Sequence, residues 1–113
     1  MISELPVIDL ELGAKLLDSD QQIAVKMIKE LANSLQGNLQ DLEIAYAAEN
    51  ISKIGNLAHY IHGGACYCGT PRLKAAAIAL EKVAKAAHSL QDIEAEYRNL
   101  CLNIKWVIDA DLA

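Results

Sequence analysis

Residues 58–71 read Ala58-His59-Tyr60-Ile61-His62-Gly63-Gly64-Ala65-Cys66-Tyr67-Cys68-Gly69-Thr70-Pro71. Thr70 followed by Pro71 is a capping residue with proline at the first helical position, so a new helix starts at Pro71. Gly69 is then the turn, and the residues before it close an earlier helix. Apolar residues recur at Ile54, Ala58, Ile61, Ala65 and Cys68, the three-and-four spacing of a buried helical stripe. The stretch therefore predicts two helices folded back on each other about Gly69. The same phasing puts Gly55, His59, His62, Gly63 and Cys66 on a neighbouring face that need not be buried. Glycine costs roughly 1 kcal/mol against alanine inside a helix, so two in a row need a reason. His59 stands between Gly55 one turn before and Gly63 one turn after, where its imidazole can be approached closely by another protein.

Outward from this hairpin the rest of the chain is also helical. Asp9 can cap a short helix to about Leu17, with Leu12 and Leu16 facing inward. Ser19 with Gln22 makes a capping box for a long helix. Its stripe passes through Ile23, Met27, Leu31, Leu35, Leu39, Leu42 and Tyr46, and the Gly37-Asn38 pair is expected to kink or split it. Asn50 caps the helix that carries His59. The helix from Pro71 buries Leu73, Ala76, Ala77, Leu80 and Ala84. Ser89 opens the last one, with Leu90, Ile93, Tyr97, Leu100, Ile104 and Ile108 as its stripe; Trp106 lies off that stripe and is expected to pack at the end covered by the short N-terminal helix, as plain core and not as a ligand contact. No run alternates with the period of a strand. The expected fold is all-α: an antiparallel four-helix bundle with a short additional N-terminal helix. Residues 1–8, with a proline and no periodicity, are expected to be a tether before one domain over 9–113.

Composition narrows the function. The 113 residues carry 15 acids against 10 bases, a net charge of −5, and no phenylalanine, so the core is aliphatic and the surface repels nucleic acid. The longest wholly apolar stretch, Ala75 to Leu80, is far too short to span a bilayer. Nothing resembles a secretion signal. Three cysteines, with Cys66 and Cys68 too close for an ordinary disulfide framework, fit a reducing cytoplasm.

The string from Ala58 to Gly69, with Pro71-Arg72-Leu73 and Leu80-Glu81 after it, resembles the signature of histidine-containing phosphotransfer (HPt) domains. The histidine at the third position after His59 and the Pro-Arg after Gly69 are similar to the C-terminal domain of BarA-type hybrid sensor kinases. The Ala65-Cys66-Tyr67-Cys68 run departs from the small or polar residues usual there. The resemblance implies that His59 accepts and donates a phosphoryl group in a multistep phosphorelay. Its partners would be the receiver domains of a hybrid kinase and of a response regulator, which supply the aspartate and Mg²⁺; no cofactor is expected in this chain. Gly55, Gly63 and Cys66 would form the receiver docking face, and the isolated domain is expected to be a monomer. No nucleotide-binding motif is present, so autophosphorylation from ATP is not expected. His59 lies ten residues before Gly69 and Glu81 twelve after it, so at about 1.5 Å per residue they come level across an antiparallel pair. Glu81, where the family often carries glutamine or glutamate, can then accept a hydrogen bond from one ring nitrogen of His59. Lys85, one turn on, can offer positive charge, and His62 can donate to phosphoryl oxygens. A competing reading is a Zn²⁺ or Cu⁺ site, or a redox module, on His59, His62 and Cys66, which share one helical face.

Overall fold

Among the described residues, five helices and one 3₁₀ turn follow from the caps and apolar stripes of the chain. A computed structural model describes residues 5–110, in the order α1 (Leu10–Leu16), α2 (Gln21–Ala47), α3 (Ile51–Ala65), α4 (Pro71–Ala86), a 3₁₀ turn (Leu90–Ile93) and α5 (Glu94–Asp109). No strand occurs among the described residues. Helices α2 to α5 form the four-helix bundle, with α3 packed most extensively against α4, and the short α1 against α2. The core is aliphatic as expected: Ile28, Leu35, Leu42, Ile54, Ile61, Leu73, Leu80, Leu100 and Ile104 are buried. No helix among the described residues is long and apolar enough to cross a membrane.

The caps at Asp9 and Asn50 form as the sequence suggests. Asp9 accepts from the Leu12 N–H at 3.0 Å and Asn50 from the Lys53 N–H at 3.1 Å. Helix α2, however, is capped by Asp20, which accepts from the Ile23 N–H at 3.0 Å, and not by Ser19. The Ser19 N–H is already committed to closing α1 on the Ala14 carbonyl at 2.9 Å. Asp20 has the extended backbone of a cap and an ionised acceptor, which binds an N–H more strongly than a hydroxyl does. The expected break at Gly37-Asn38 does not occur, and α2 is continuous. Nothing lies within 4 Å of where a Gly37 side chain would be, so the glycine sits on the open side and the flanking leucines hold the helix.

The early part of α2 faces differently from its expected stripe. Ala24 and Ile28 are fully buried whereas Ile23 is exposed. The cause is α1, whose buried residues are Gly13 and Ala14 and not Leu16, which is exposed. A Cβ on Gly13 would stand 3.3 Å from that of Ala24, so small residues on both helices let them approach. Thr70 caps α4 by position only. Its hydroxyl makes no cap bond and is buried without a partner. The segment opened by Ser89 begins as the 3₁₀ turn, with the Asp92 carboxylate accepting from the His88 and Ser89 N–H groups.

The bundle end opposite the α2–α3 connection is sealed by the chain start. Of the residues read as a tether, 1–4 lie outside the described residues, as do 111–113 at the far end. Val7 and Ile8 pack against the core, and the Leu5 carbonyl accepts from Arg72 Nε at 2.9 Å. Trp106 is not core: it is 39% exposed, beneath the Arg72 guanidinium at 5.2 Å from its ring centre. A tryptophan off the stripe keeps one face toward a cation at low cost.

Candidate functional site

His59 projects from the middle of α3 because its neighbours on the stripe, Ala58 and Ile61, are buried and fix the helix rotation. Its side chain is 73% exposed. Glu81 stands on α4 one residue past Leu80, which is fully buried and fixes that helix in turn. The two come level across the Gly69 turn: His59 Nδ1 and Glu81 Oε2 are 2.8 Å apart. A carboxylate can only accept here, so Nδ1 donates, and in the neutral ring this tautomer leaves Nε2 as the nitrogen with the lone pair. The His59 hydrogen bond holds the Glu81 carboxyl below its usual value, against partial burial that raises it and with the charges of His59 and Lys85 assisting. Lys85 Nζ is 3.5 Å from Oε2. His62, 28% exposed, turns the other way from what open-face reasoning suggests, with Nδ1 3.5 Å from Glu81 Oε1. One carboxylate therefore collects His59, His62 and Lys85.

The other expected site residues divide. Gly63 is exposed, and nothing lies within 4 Å of where its side chain would be, so the approach to His59 from that side is open. Gly55 faces α4, where a Cβ would stand 3.1 Å from Ala84 Cβ. Its lack of a side chain lets α3 and α4 close up one turn from the His59–Glu81 pair. Cys66 is half-buried and lines a separate depression with Leu12, Leu16, Lys74 and Ile78, away from His59. The three ligand types that do come together are those of His59, His62 and Glu81, whose ligand atoms lie within 4.8 Å of one another. Cys68 is structural: its buried thiol donates to the Gly64 carbonyl at 3.2 Å, and burial pushes its pKa up.

Sequence reasoning missed a depression of about 410 Å³ beside His59 between α2 and α3, lined by Leu31, Ser34, Asn38, Tyr60 and Gly64. Gly64 lets Leu31 lie against the α3 backbone, since a Cβ there would meet its Cδ1 at 3.4 Å. The available signals were Tyr60, large, off the stripe and 65% exposed, and Asn38, whose amide nitrogen is buried without a partner.

Known proteins resemble this chain in sequence and in fold. A sensor histidine kinase GacS of Pseudomonas protegens is 33% identical over 73 residues, 65% of this chain and 8% of that protein. The sensor protein GacS of Pseudomonas syringae pv. syringae is 29% identical over 79 residues, 70% of this chain and 9% of that protein. The chain thus spans less than a tenth of the length of these relatives. The crystal structure of the HPT domain of a sensor hybrid histidine kinase from Shewanella superposes with a TM-score of 0.81, at 22% identity, over 90% of this chain and 87% of that one. Residues 26–110 match the Hpt domain family, a span that holds the whole of α3 and α4 with His59, His62 and Glu81, and the chain belongs to that family.

Proposed function

We propose that this chain is the histidine phosphotransfer intermediate of a phosphorelay, with His59 Nε2 as the atom that carries the phosphoryl group. The observation that supports this most is the 2.8 Å contact of His59 Nδ1 with Glu81 on a side chain 73% exposed. It fixes the tautomer and leaves one nucleophilic nitrogen accessible. The donor is the aspartyl phosphate of a receiver domain. Nε2 attacks phosphorus, the N–P bond forms as the acyl O–P bond breaks, and the receiver's aspartate leaves as a carboxylate. The Glu81 carboxylate keeps the Nδ1 proton in place and balances the positive charge that develops on the ring. Transfer to the aspartate of a response regulator reverses these steps. Mg²⁺ belongs to the receiver, where it neutralises phosphoryl oxygens, and such transfers depend on positioning and charge more than on acid–base steps. His62 and Lys85 supply charge at the edge of the site. Gly63 and the depression beside Tyr60 give the receiver its seat. The setting is cytoplasmic, as part of a hybrid sensor kinase.

The test is incubation with a phosphorylated receiver domain and Mg²⁺. The chain is expected to gain acid-labile, alkali-stable phosphate, and His59→Gln to gain none while keeping its helicity and melting temperature. Full incorporation in His59→Gln would refute the assignment and move it to His62.

A further inference from the structure

Orienting one imidazole needs a single acceptor oxygen, yet Glu81 faces two histidines. Its Oε2 meets His59 Nδ1 at 2.8 Å and its Oε1 lies 3.5 Å from His62 Nδ1. Bundles build metal sites from side chains on facing helices, with two ligands of one helix at i and i+3, and His59 and His62 on α3 with Glu81 on α4 share that spacing. Here the same set stands at the surface, with its ligand atoms within 4.8 Å of one another. Around a tetrahedral ion with ligand bonds of about 2.0–2.1 Å, neighbouring ligand atoms stand about 3.3 Å apart. The longest separation must therefore shorten by roughly an ångström and a half, which the 73%-exposed His59 ring can do by a side-chain rotation. Lys85 is the cation on the cluster, and at 75% exposure it can swing into solvent when a metal replaces it on Glu81.

We propose that His59, His62 and Glu81 form a binding site for one late divalent transition-metal ion, Zn²⁺ fitting best, with water in the remaining position. Nitrogen and carboxylate donors suit this ion, and its filled d shell imposes no geometry on a site that must adjust. The site differs from the His59–His62–Cys66 set suggested by spacing along α3 alone, because Cys66 lines a different depression. Binding does not rest on the phosphotransfer reading, though a metal held here occupies the imidazole and the carboxylate on which that reading depends.

Calorimetric titration of the reduced protein with Zn²⁺, in a buffer free of phosphate and chelators, tests this without any receiver or phosphoryl donor. Its outcome is thus separate from that of the phosphotransfer assay. The expected result is one ion per chain. His59→Gln, His62→Ala and Glu81→Gln should each weaken binding by at least the roughly tenfold that even outer-shell losses cost. Cys66→Ser and His88→Gln should bind as the parent does. With Co²⁺ in place of Zn²⁺, visible bands of a low-coordinate site should appear without a thiolate charge-transfer band in the near ultraviolet. Circular dichroism establishes that each variant is folded, and the amide of Glu81→Gln keeps the shape of the carboxylate. Absence of saturable binding in the parent overturns the proposal. So does parent-level affinity in Glu81→Gln, a loss in Cys66→Ser, or a thiolate band with cobalt.

Discussion

At Glu81 opposing effects meet on one carboxyl group. The hydrogen bond from His59 is the largest influence and lowers its pKa, partial burial raises it, and the His59 and Lys85 charges lower it further. A folded-state value below the unfolded one means that the native state stabilises the ionised form. That contribution is fully present above the unfolded carboxylate value and is lost as the pH falls through the lowered native value. Carbon-13 titration of the Glu81 carboxyl should therefore give a midpoint below that of an ordinary glutamate. In His59→Gln the midpoint should rise, and in Lys85→Ala it should rise by less. An unmoved midpoint in His59→Gln would mean that the 2.8 Å contact is not what holds the group ionised. The pairing of His59 with Glu81 was legible in the sequence because it needs only the helical rise and the position of Gly69. The turn of His62 toward the same carboxylate was not, since its rotamer is set by a side chain on another helix. Open-face reasoning from α3 alone leaves it pointing at solvent.

Helix α3 carries two glycines that look equivalent in sequence, each one turn from His59, and the packed helices separate them. Gly55 lies against Ala84 and Gly63 lies against nothing. Gly55→Leu should force α3 and α4 apart and destabilise the fold by about 1–3 kcal/mol, the usual range for overpacking. Because Ala84 is on the same helix as Glu81, the Glu81 titration midpoint should also rise. Chemical denaturation and the same carbon-13 titration measure both, and parent values in each would show that the contact has slack. Gly63→Gln should instead fold at least as well, gaining up to about 1 kcal/mol of helix propensity. Under the phosphotransfer reading its transfer from a receiver should fall steeply, while labelling by phosphoramidate falls much less, because the clash exists only in the complex. Transfer at the parent rate would show that the open side of α3 is not the approach. Helix starts were legible where the acceptor was unopposed, as at Asp9 and Asn50. They were not at Ser19-Asp20, where the choice depends on Ser19 already closing α1.

Across the whole molecule, the stripes of α3, α4 and α5 were enough to specify a bundle, but the docking of the chain start was not legible. Val7, Ile8 and Leu10 pack against the core, but they share no helical repeat, and the backbone bonds that fix the segment leave no mark on periodicity. The Asp9 N–H donates to the Gly69 carbonyl at 2.8 Å, so the cap of α1 is tied to the turn between α3 and α4. Gly69 holds φ +67, and a Cβ there would collide with the Asp9 carbonyl and the Gly13 backbone. Gly69→Ala therefore meets two penalties at once. The left-handed conformation costs an alanine about 1–2 kcal/mol, and the displaced hydrogen bond about 1 more. A loss of about 2–3 kcal/mol in chemical denaturation is expected. Its distribution is the sharper test. Amides of α1 and of its C-cap, Gly13 and Leu17 among them, should lose exchange protection first, together with the Val7–Ile8 segment. The α3–α4 pairing at Glu81 lies three turns of helix away, and its titration midpoint should stay where it is. Uniform loss of protection along the chain would mean that the Gly69 turn holds the bundle itself together. Unchanged stability would mean that α1 is held by Ala24 and the α2 face alone.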